Sequence, residues 1–348
     1  MRIHLGHHFY GAGNLGDDFM LAGFLAAMRM HAPHATFTCC VPFALDPLQR
    51  RFPEIQWFAY SETARAACIA GCDVWLGLGG SPFQSAQSRW FVDHLVGESA
   101  RCLAGKKPMY YLGVGVQEAA ELVVPDVQRL CAQAAGIWTR DSASAERIAA
   151  LPSAPPVASG ADLAYVFFRD RPPPSPVAGR LTLVANFDYA GWPGQAAFVR
   201  AAQAWPATER IWLAQESREL PGAERALYAA LPDTDRAHWH LAVPDEPGSP
   251  LAQALARWPS GEWLVTSRYH ATLAGAEIGS KIVIVATNEK LRAAAHDLGC
   301  PVLLPDAGEN AAAQALAAAT RAVPPVAAAD RAMAACRDFA RSAVALVG

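Results

Sequence analysis

Residues 263–291 read WLVTSRYHATLAGAEIGSKIVIVATNEKL. WLVTS is an apolar run closed by hydroxyl residues, as at the end of a buried strand. YHATLAGAEIG has the small and apolar residues of a packed helix, and KIVIVAT is β-branched like a second strand. A strand, a helix and a strand within about thirty residues form one βαβ unit, which implies a parallel strand pair. Three basic side chains mark its turns: Arg268 and His270 where the helix begins, and Lys290 just past the second strand. Only 18% of the chain is charged, so this grouping at the tips of apolar elements needs a reason.

The same alternation runs outward in both directions. MRIHLGHHF is read as a strand, DDFMLAGFLAAMRMHA as a helix and ATFTCCVPF as a strand. A helix around 61–71, the strand DVWLGLGG, a helix near 86–104 and the strand PMYYLGVGV follow. Next come ELVVPDVQRLCAQAA as a helix, GIWTRD as a short strand and SASAERIAAL as a helix. RDRPPPSPVAG, residues 169–179, then interrupts the pattern, because consecutive prolines fit neither a helix interior nor a central strand. Beyond it LTLVANF, RIWLAQ and AHWHLAV are strands separated by Ala-rich helices, leading back to the opening unit. The expected class is therefore α/β, with two Rossmann-like parallel-sheet halves facing across a cleft. The expected boundaries are 1–168, a linker at 169–179, a second half at 180–325 and a closing helix at 326–348.

Composition narrows the chemistry. At 348 residues and 52% hydrophobic content the chain is long enough for two cores. A formal charge of −3 argues against a nucleic-acid footprint, so an anionic ligand needs a local basic cluster. No apolar run reaches the roughly 18 residues of a membrane span, and the N-terminus lacks the apolar core of a signal peptide. Eight scattered cysteines, with only Cys68 and Cys72 at close helical spacing, point to reduced buried thiols in a cytoplasmic protein and to no metal set.

In parallel sheets ligands gather beyond the carboxyl ends of the strands. FYGAGNLGDDFM joins the first strand to its helix and offers Asn14, Gly16, Asp17 and Asp18. Either it is a ligand loop with an aspartate near an acceptor hydroxyl, or Asp17 simply caps the helix. WLGLGGSPFQ ends in Gly79, Gly80 and Ser81, a turn that presents backbone N–H groups or only reverses the chain. IWTRDSASAERI places Arg140 at a strand end, where capping explains Asp141 and the serines but not the arginine. Asp162, in SGADLAYVF, caps a turn or orients a basic partner. Arg268 and His270 reinforce the positive end of their helix, Lys290 lies one strand away, and together they suit an anion. The aromatic stretch Phe187–Gly194, FDYAGWPG, is either a sugar-stacking platform or a packed turn.

With these pieces assembled the chain resembles the polysaccharide pyruvyl transferase family. The matching stretches are GNLGDD, GLGGSPFQ, YLGVGVQ, TRDSAS, GADLA, TSRYHA and NEKLRAAAHDLG, in the family's order between positions 13 and 299. The resemblance implies a GT-B-like pair of halves and transfer of a pyruvyl group from phosphoenolpyruvate to a sugar of an envelope or exopolysaccharide glycan, as a ketal. Arg140, Arg268 and Lys290 would then bind the donor, His270 would act as general acid, and Asp17 or Asp18 as base. Asn14, Gly16, Gly79, Gly80 and Ser81 would line the loop and acceptor side. The implied partners are phosphoenolpyruvate as co-substrate and a free or lipid-linked sugar, with no cofactor, no metal and no nucleic acid. Peripheral association with the inner face of the cytoplasmic membrane suits such an acceptor, and the oligomeric state stays open. The alternatives are a GT-B glycosyltransferase using a nucleotide sugar and a non-catalytic sugar-binding relative.

Overall fold

The computed structural model describes residues 1–84, 89–185, 195–218 and 223–347. The chain divides into two compact units. The first comprises Met1–Ala12, Asp17–Asp170 and Ala327–Gly348; the second comprises Gly13–Gly16 and Arg171–Val326.

In the first unit seven strands are β1 (Arg2–Leu5), β2 (Thr36–Val41), β3 (Ile55–Ala59), β4 (Val74–Leu78), β5 (Met109–Val114), β6 (Gly136–Thr139) and β7 (Val157–Ser159). They form one sheet in the order β3-β2-β1-β4-β5-β6-β7, with every neighbouring pair parallel. The helices on this sheet are α1 (Leu15–His31), α2 (Leu45–Arg51), α3 (Glu62–Gly71), α4 (Trp90–Ala104), α5 (Pro125–Gln133), α6 (Ser142–Ala149) and α7 (Ala164–Asp170). Every residue of β4 and β5 is buried, as expected of central strands covered on both faces. Trp75, Tyr111, Phe83, Phe91 and Leu95 lead one of its core clusters.

The helix expected over 121–135 begins instead at Pro125, after a 3-10 turn at Ala119–Val123. Proline disfavours helical conformation in the residue before it and is at home in the first helical turn, so it sets the start. Within this unit α2, β3, β7 and α7 also escaped the sequence pattern.

The second unit holds β8 (Val177–Val184), β9 (Glu209–Leu213), β10 (His240–Ala242), β11 (Gly261–Thr266), β12 (Lys281–Val285) and β13 (Val302–Leu303). Their order is β10-β9-β8-β11-β12-β13, again with parallel pairing throughout. Its helices are α8 (Gln195–Ala204), α9 (Glu224–Ala229), α10 (Asp233–Arg236), α11 (Leu251–Ala256), α12 (Tyr269–Glu277), α13 (Glu289–Leu298) and α14 (Glu309–Ala318). Trp212, Trp239, Phe198, Val265 and Val283 pack its core. The last helix, α15 (Ala328–Val347), belongs to the first unit, where buried Phe339 meets Tyr110 and Trp138 at ring-centroid distances of 5.6 and 6.0 Å.

Both sheets reverse their strand order once, between β1 and β4 in the first and between β8 and β11 in the second. Crevices open at the carboxyl ends of strands at such reversal points. The chain is thus α/β with two Rossmann-like parallel-sheet halves. Among the described residues, no helix is long and apolar enough to cross a membrane.

Candidate functional site

The second unit assembles Asn14, Gly16, Arg268, His270 and Lys290 of the residues that the sequence singled out. Gly13–Gly16 lies against the chain just past β9, with Asn14 forming an antiparallel bridge to Glu216. Ser217 N donates to Gly13 O at 2.8 Å, Leu15 N to Gln215 O at 3.3 Å, and Gln215 Nε2 to Asn14 Oδ1 at 3.0 Å. Asn14 Oδ1 also accepts from Gly16 N at 3.1 Å. This tight turn presses Gly16 against His270. A Cβ on residue 16 would lie 2.1 Å from His270 Nδ1 and 2.6 Å from Cγ, so only glycine admits the ring there. Asn14 thus fixes the turn whose Gly16 lies against the buried His270 imidazole.

His270 is on the first turn of α12, directly beyond β11. Arg268 offers this helix no side-chain cap, whereas Asn288 caps α13 by accepting from Leu291 N at 3.0 Å. Thr266 Oγ1 instead accepts the Arg268 N–H at 2.8 Å and fixes the turn. Strands β11 and β12 are neighbours, with Thr266 beside Ile284, so α12 and α13 start side by side. Lys290, in the first turn of α13, reaches across: its Nζ is 5.9 Å from the Tyr269 ring centroid. His270 and Lys290 thus occupy one rim, at the carboxyl ends of adjacent strands.

Arg268 has another task. Its Nε donates to Glu224 Oε1 at 2.6 Å, and its terminal nitrogen to Glu224 Oε2 at 3.2 Å and Glu216 Oε2 at 2.9 Å. Arg218 meets the other oxygen of Glu216 at 3.2 Å, giving two cations alternating with two carboxylates. Burial alone favours a neutral Arg268, but Glu224 and then Glu216 outweigh it and hold the guanidinium charged. A buried arginine forked onto two carboxylates braces the loop rather than offering itself to a donor anion. No local motif marks Gln215, Glu216 or Glu224. Only Gln215 had a legible place, at the end of the run RIWLAQ.

The remaining expected residues lie in the first unit. Gly79 and Gly80, with φ of 66° and 74°, turn the chain after β4 in a conformation that side chains resist. Ser81 Oγ accepts from Arg140 at 3.0 Å, and the guanidinium lies against Gly115, where a Cβ would sit 2.5 Å from Nε. Asp141 caps α6 by accepting from Ser144 N at 2.7 Å, leaving Arg140 as the side chain at this strand end not needed for capping. Asp18 is buried and paired with Arg51; Asp17 is half-buried on the same helical turn. Asp162 accepts from Ala164 N at 2.9 Å. Burial, Asp17, Cys39, Asp18 and Asp162 together push the Tyr10 phenol well above its usual range, so Tyr10 stays a donor, to Leu78 O at 2.6 Å. Phe187–Gly194 lies outside the described residues.

The sequence reading passed over a nest of four histidines in this unit. His94 Nε2 is 3.0 Å from Gly6 O and its Nδ1 is 3.2 Å from the Tyr60 hydroxyl, which assigns Nε2 as donor and Nδ1 as acceptor. His7 Nδ1 meets Leu78 O at 2.9 Å, and His4 Nδ1 meets Thr38 Oγ1 at 3.0 Å. Glu98 anchors the nest, accepting from Arg65 Nε at 2.8 Å and Trp75 Nε1 at 3.0 Å. Burial is the main cause that pushes His4 down to about 4, and His7 and His8 to about 3. All eight cysteines are free thiols, and no group of three or more metal-ligating side chains occurs among the described residues.

No protein-family model matches the sequence, and no curated protein is similar to it. Solved structures are similar over the whole chain. UDP-N-acetylglucosamine 2-epimerase from Rickettsia bellii superposes with a TM-score of 0.64 at 10% identity, over 99% of this chain and 95% of that one. The UDP-GlcNAc 2-epimerase of Neisseria meningitidis, bound to UDP-GlcNAc, gives 0.58 at 10% identity over 100% and 99%. Anabaena HepE in complex with UDP-glucose gives 0.59 at 10% identity over 99% and 97%. These findings overturn the resemblance to polysaccharide pyruvyl transferases and, with it, phosphoenolpyruvate as donor, since the similar structures are of nucleotide-sugar proteins. At such identities the likeness establishes the fold, which is GT-B-like.

Proposed function

We propose that this protein is an enzyme acting on a nucleotide-diphosphate sugar, with the diphosphate received at the rim formed by Ser267–His270 and Asn288–Lys290. The observation that carries this reading is the side-by-side start of α12 and α13 at the ends of β11 and β12, with His270 and Lys290 on their first turns. Two aligned helix N-termini and an ammonium group suit a diphosphate, whose negative charge grows as its bond to the sugar breaks. The whole-chain likeness to proteins solved with UDP-GlcNAc and UDP-glucose supports the same ligand class.

In this reading Lys290 pairs with the phosphates and His270 protonates or hydrogen-bonds the departing oxygen. Arg268, with Glu224 and Glu216, holds the loop before α12, and Asn14 with Gly16 fixes the histidine. The test is release of nucleotide from UDP-glucose, UDP-GlcNAc and GDP-mannose. Turnover of at least one is expected, with His270→Ala lowering kcat by about a hundredfold, the usual scale for a lost proton donor. Unchanged turnover in that variant contradicts the role given to His270. Binding without turnover of any sugar reduces the protein to a sugar-nucleotide binder.

A further inference from the structure

The first unit carries an aromatic feature that the nucleotide rim does not use. Trp90, which opens α4, is 56% exposed, and Tyr60, just past β3, is 37% exposed. Both rings pack beside the imidazole of His8, with centroids 4.8 and 5.2 Å from it. Phe91 and His94 close on the same imidazole at 5.6 and 4.2 Å. His8 is only 5% exposed, yet its Nδ1 has no hydrogen-bond partner among the described residues. His94 cannot supply one, since its nitrogens already face Gly6 O and the Tyr60 hydroxyl. Arg65, stacked on Tyr60 at 5.1 Å, is bonded to Glu98 and Glu62. His8 follows β1, Tyr60 follows β3 and Trp90 opens the helix after β4, so all three sit at the carboxyl edge of the sheet. Strands β1 and β4 are the pair at which its order reverses.

We propose that Trp90 and Tyr60 form a carbohydrate shelf, stacking on the C–H face of an uncharged pyranose while His8 takes one of its hydroxyls. A pyranose has an apolar face and a rim of hydroxyls, which matches two amphipathic rings set around one polar nitrogen. Burial keeps His8 neutral, and a neutral imidazole can both donate to and accept from a hydroxyl. The neighbouring arginine is already paired with carboxylates, which favours a neutral sugar over a charged one. The shelf extends the nucleotide-sugar reading to a second sugar, an acceptor. It rests on different residues, so either proposal can fail alone.

Saturation-transfer NMR tests it, with methyl β-glucoside, methyl β-N-acetylglucosaminide, cellobiose and chitobiose as probes. Transfer to ring C–H protons of at least one sugar is expected, weakened about tenfold in Trp90→Ala and Tyr60→Ala, the scale of one lost stacking contact. Both side chains reach the surface, and unchanged melting of the variants confirms that they fold. No transfer to any of the four sugars overturns the proposal, as does equal transfer in both variants. A sugar response without any response to UDP or GDP leaves the shelf standing and sinks the nucleotide site; the reverse sinks the shelf.

Discussion

Gly16 shows how a single backbone position can govern where a side chain sits. Its missing side chain is the space into which the His270 ring fits. In Gly16→Ala the added methyl must displace either the buried imidazole or the turn, and overpacking of this kind costs about 1–3 kcal/mol. The expected outcome is a lower melting temperature together with a loss of turnover larger than the loss of fold. Denaturant titration and kcat on the same variant check it; normal kcat with normal stability contradicts the packing described. Arg268 and His270 were legible as basic residues at a helix start because strand and helix patterns met there. Their division of labour was not. Glu224 and Glu216, which engage Arg268, lie 44 and 52 positions away, and no local spacing encodes such a pairing.

At the scale of elements, the start of α13 combines a capped helix with Lys290, the lysine of the proposed phosphate rim. Asn288 supplies the cap, and removing it should cost about 1 kcal/mol. Asn288→Ala is therefore expected to lower stability by that amount in urea titration and to weaken nucleotide binding modestly, by freeing the turn that carries Lys290. A variant as stable as wild type contradicts the capping role. Long, wholly buried strands such as β4 and β5 were plain from their apolar runs. Short ones were not: β7 has three residues, none of them buried, so it lacks the pattern from which strands are read. The apolar run ELVV has the pattern of a helix, but Pro125 decides where α5 begins.

At the scale of the whole molecule, the histidine nest ties stability to pH. His4, His7 and His8 are neutral in the folded chain, with values near 4, 3 and 3 against an ordinary 6.5. Folded values below unfolded ones mean that the unfolded chain takes up protons first as pH falls. Stability is therefore full above about pH 6.5 and declines toward pH 4, by on the order of 1–2 kcal/mol for each histidine between pH 7 and 5. Urea midpoints at pH 7 and pH 5 check this; equal midpoints contradict a buried neutral nest.

The alternation of strands and helices made the two-halved α/β fold readable from sequence. It also misled on family, because GNLGDD, GLGG and SRYHA all fall at strand-to-helix turns. There glycine, asparagine and serine serve turn geometry in any doubly wound sheet, as the positive φ of Gly79 and Gly80 illustrates. Such motifs mark strand-to-helix turns and do not by themselves identify a ligand.

The most direct measurement is isothermal titration of UDP, GDP and phosphoenolpyruvate into wild type and Lys290→Ala. Saturable binding of a nucleoside diphosphate, weakened about tenfold or more in the variant as for one lost charged hydrogen bond, with no binding of phosphoenolpyruvate, is the predicted result. Failure of both nucleotides to bind, or equal binding by the variant, would contradict a diphosphate site at the His270–Lys290 rim.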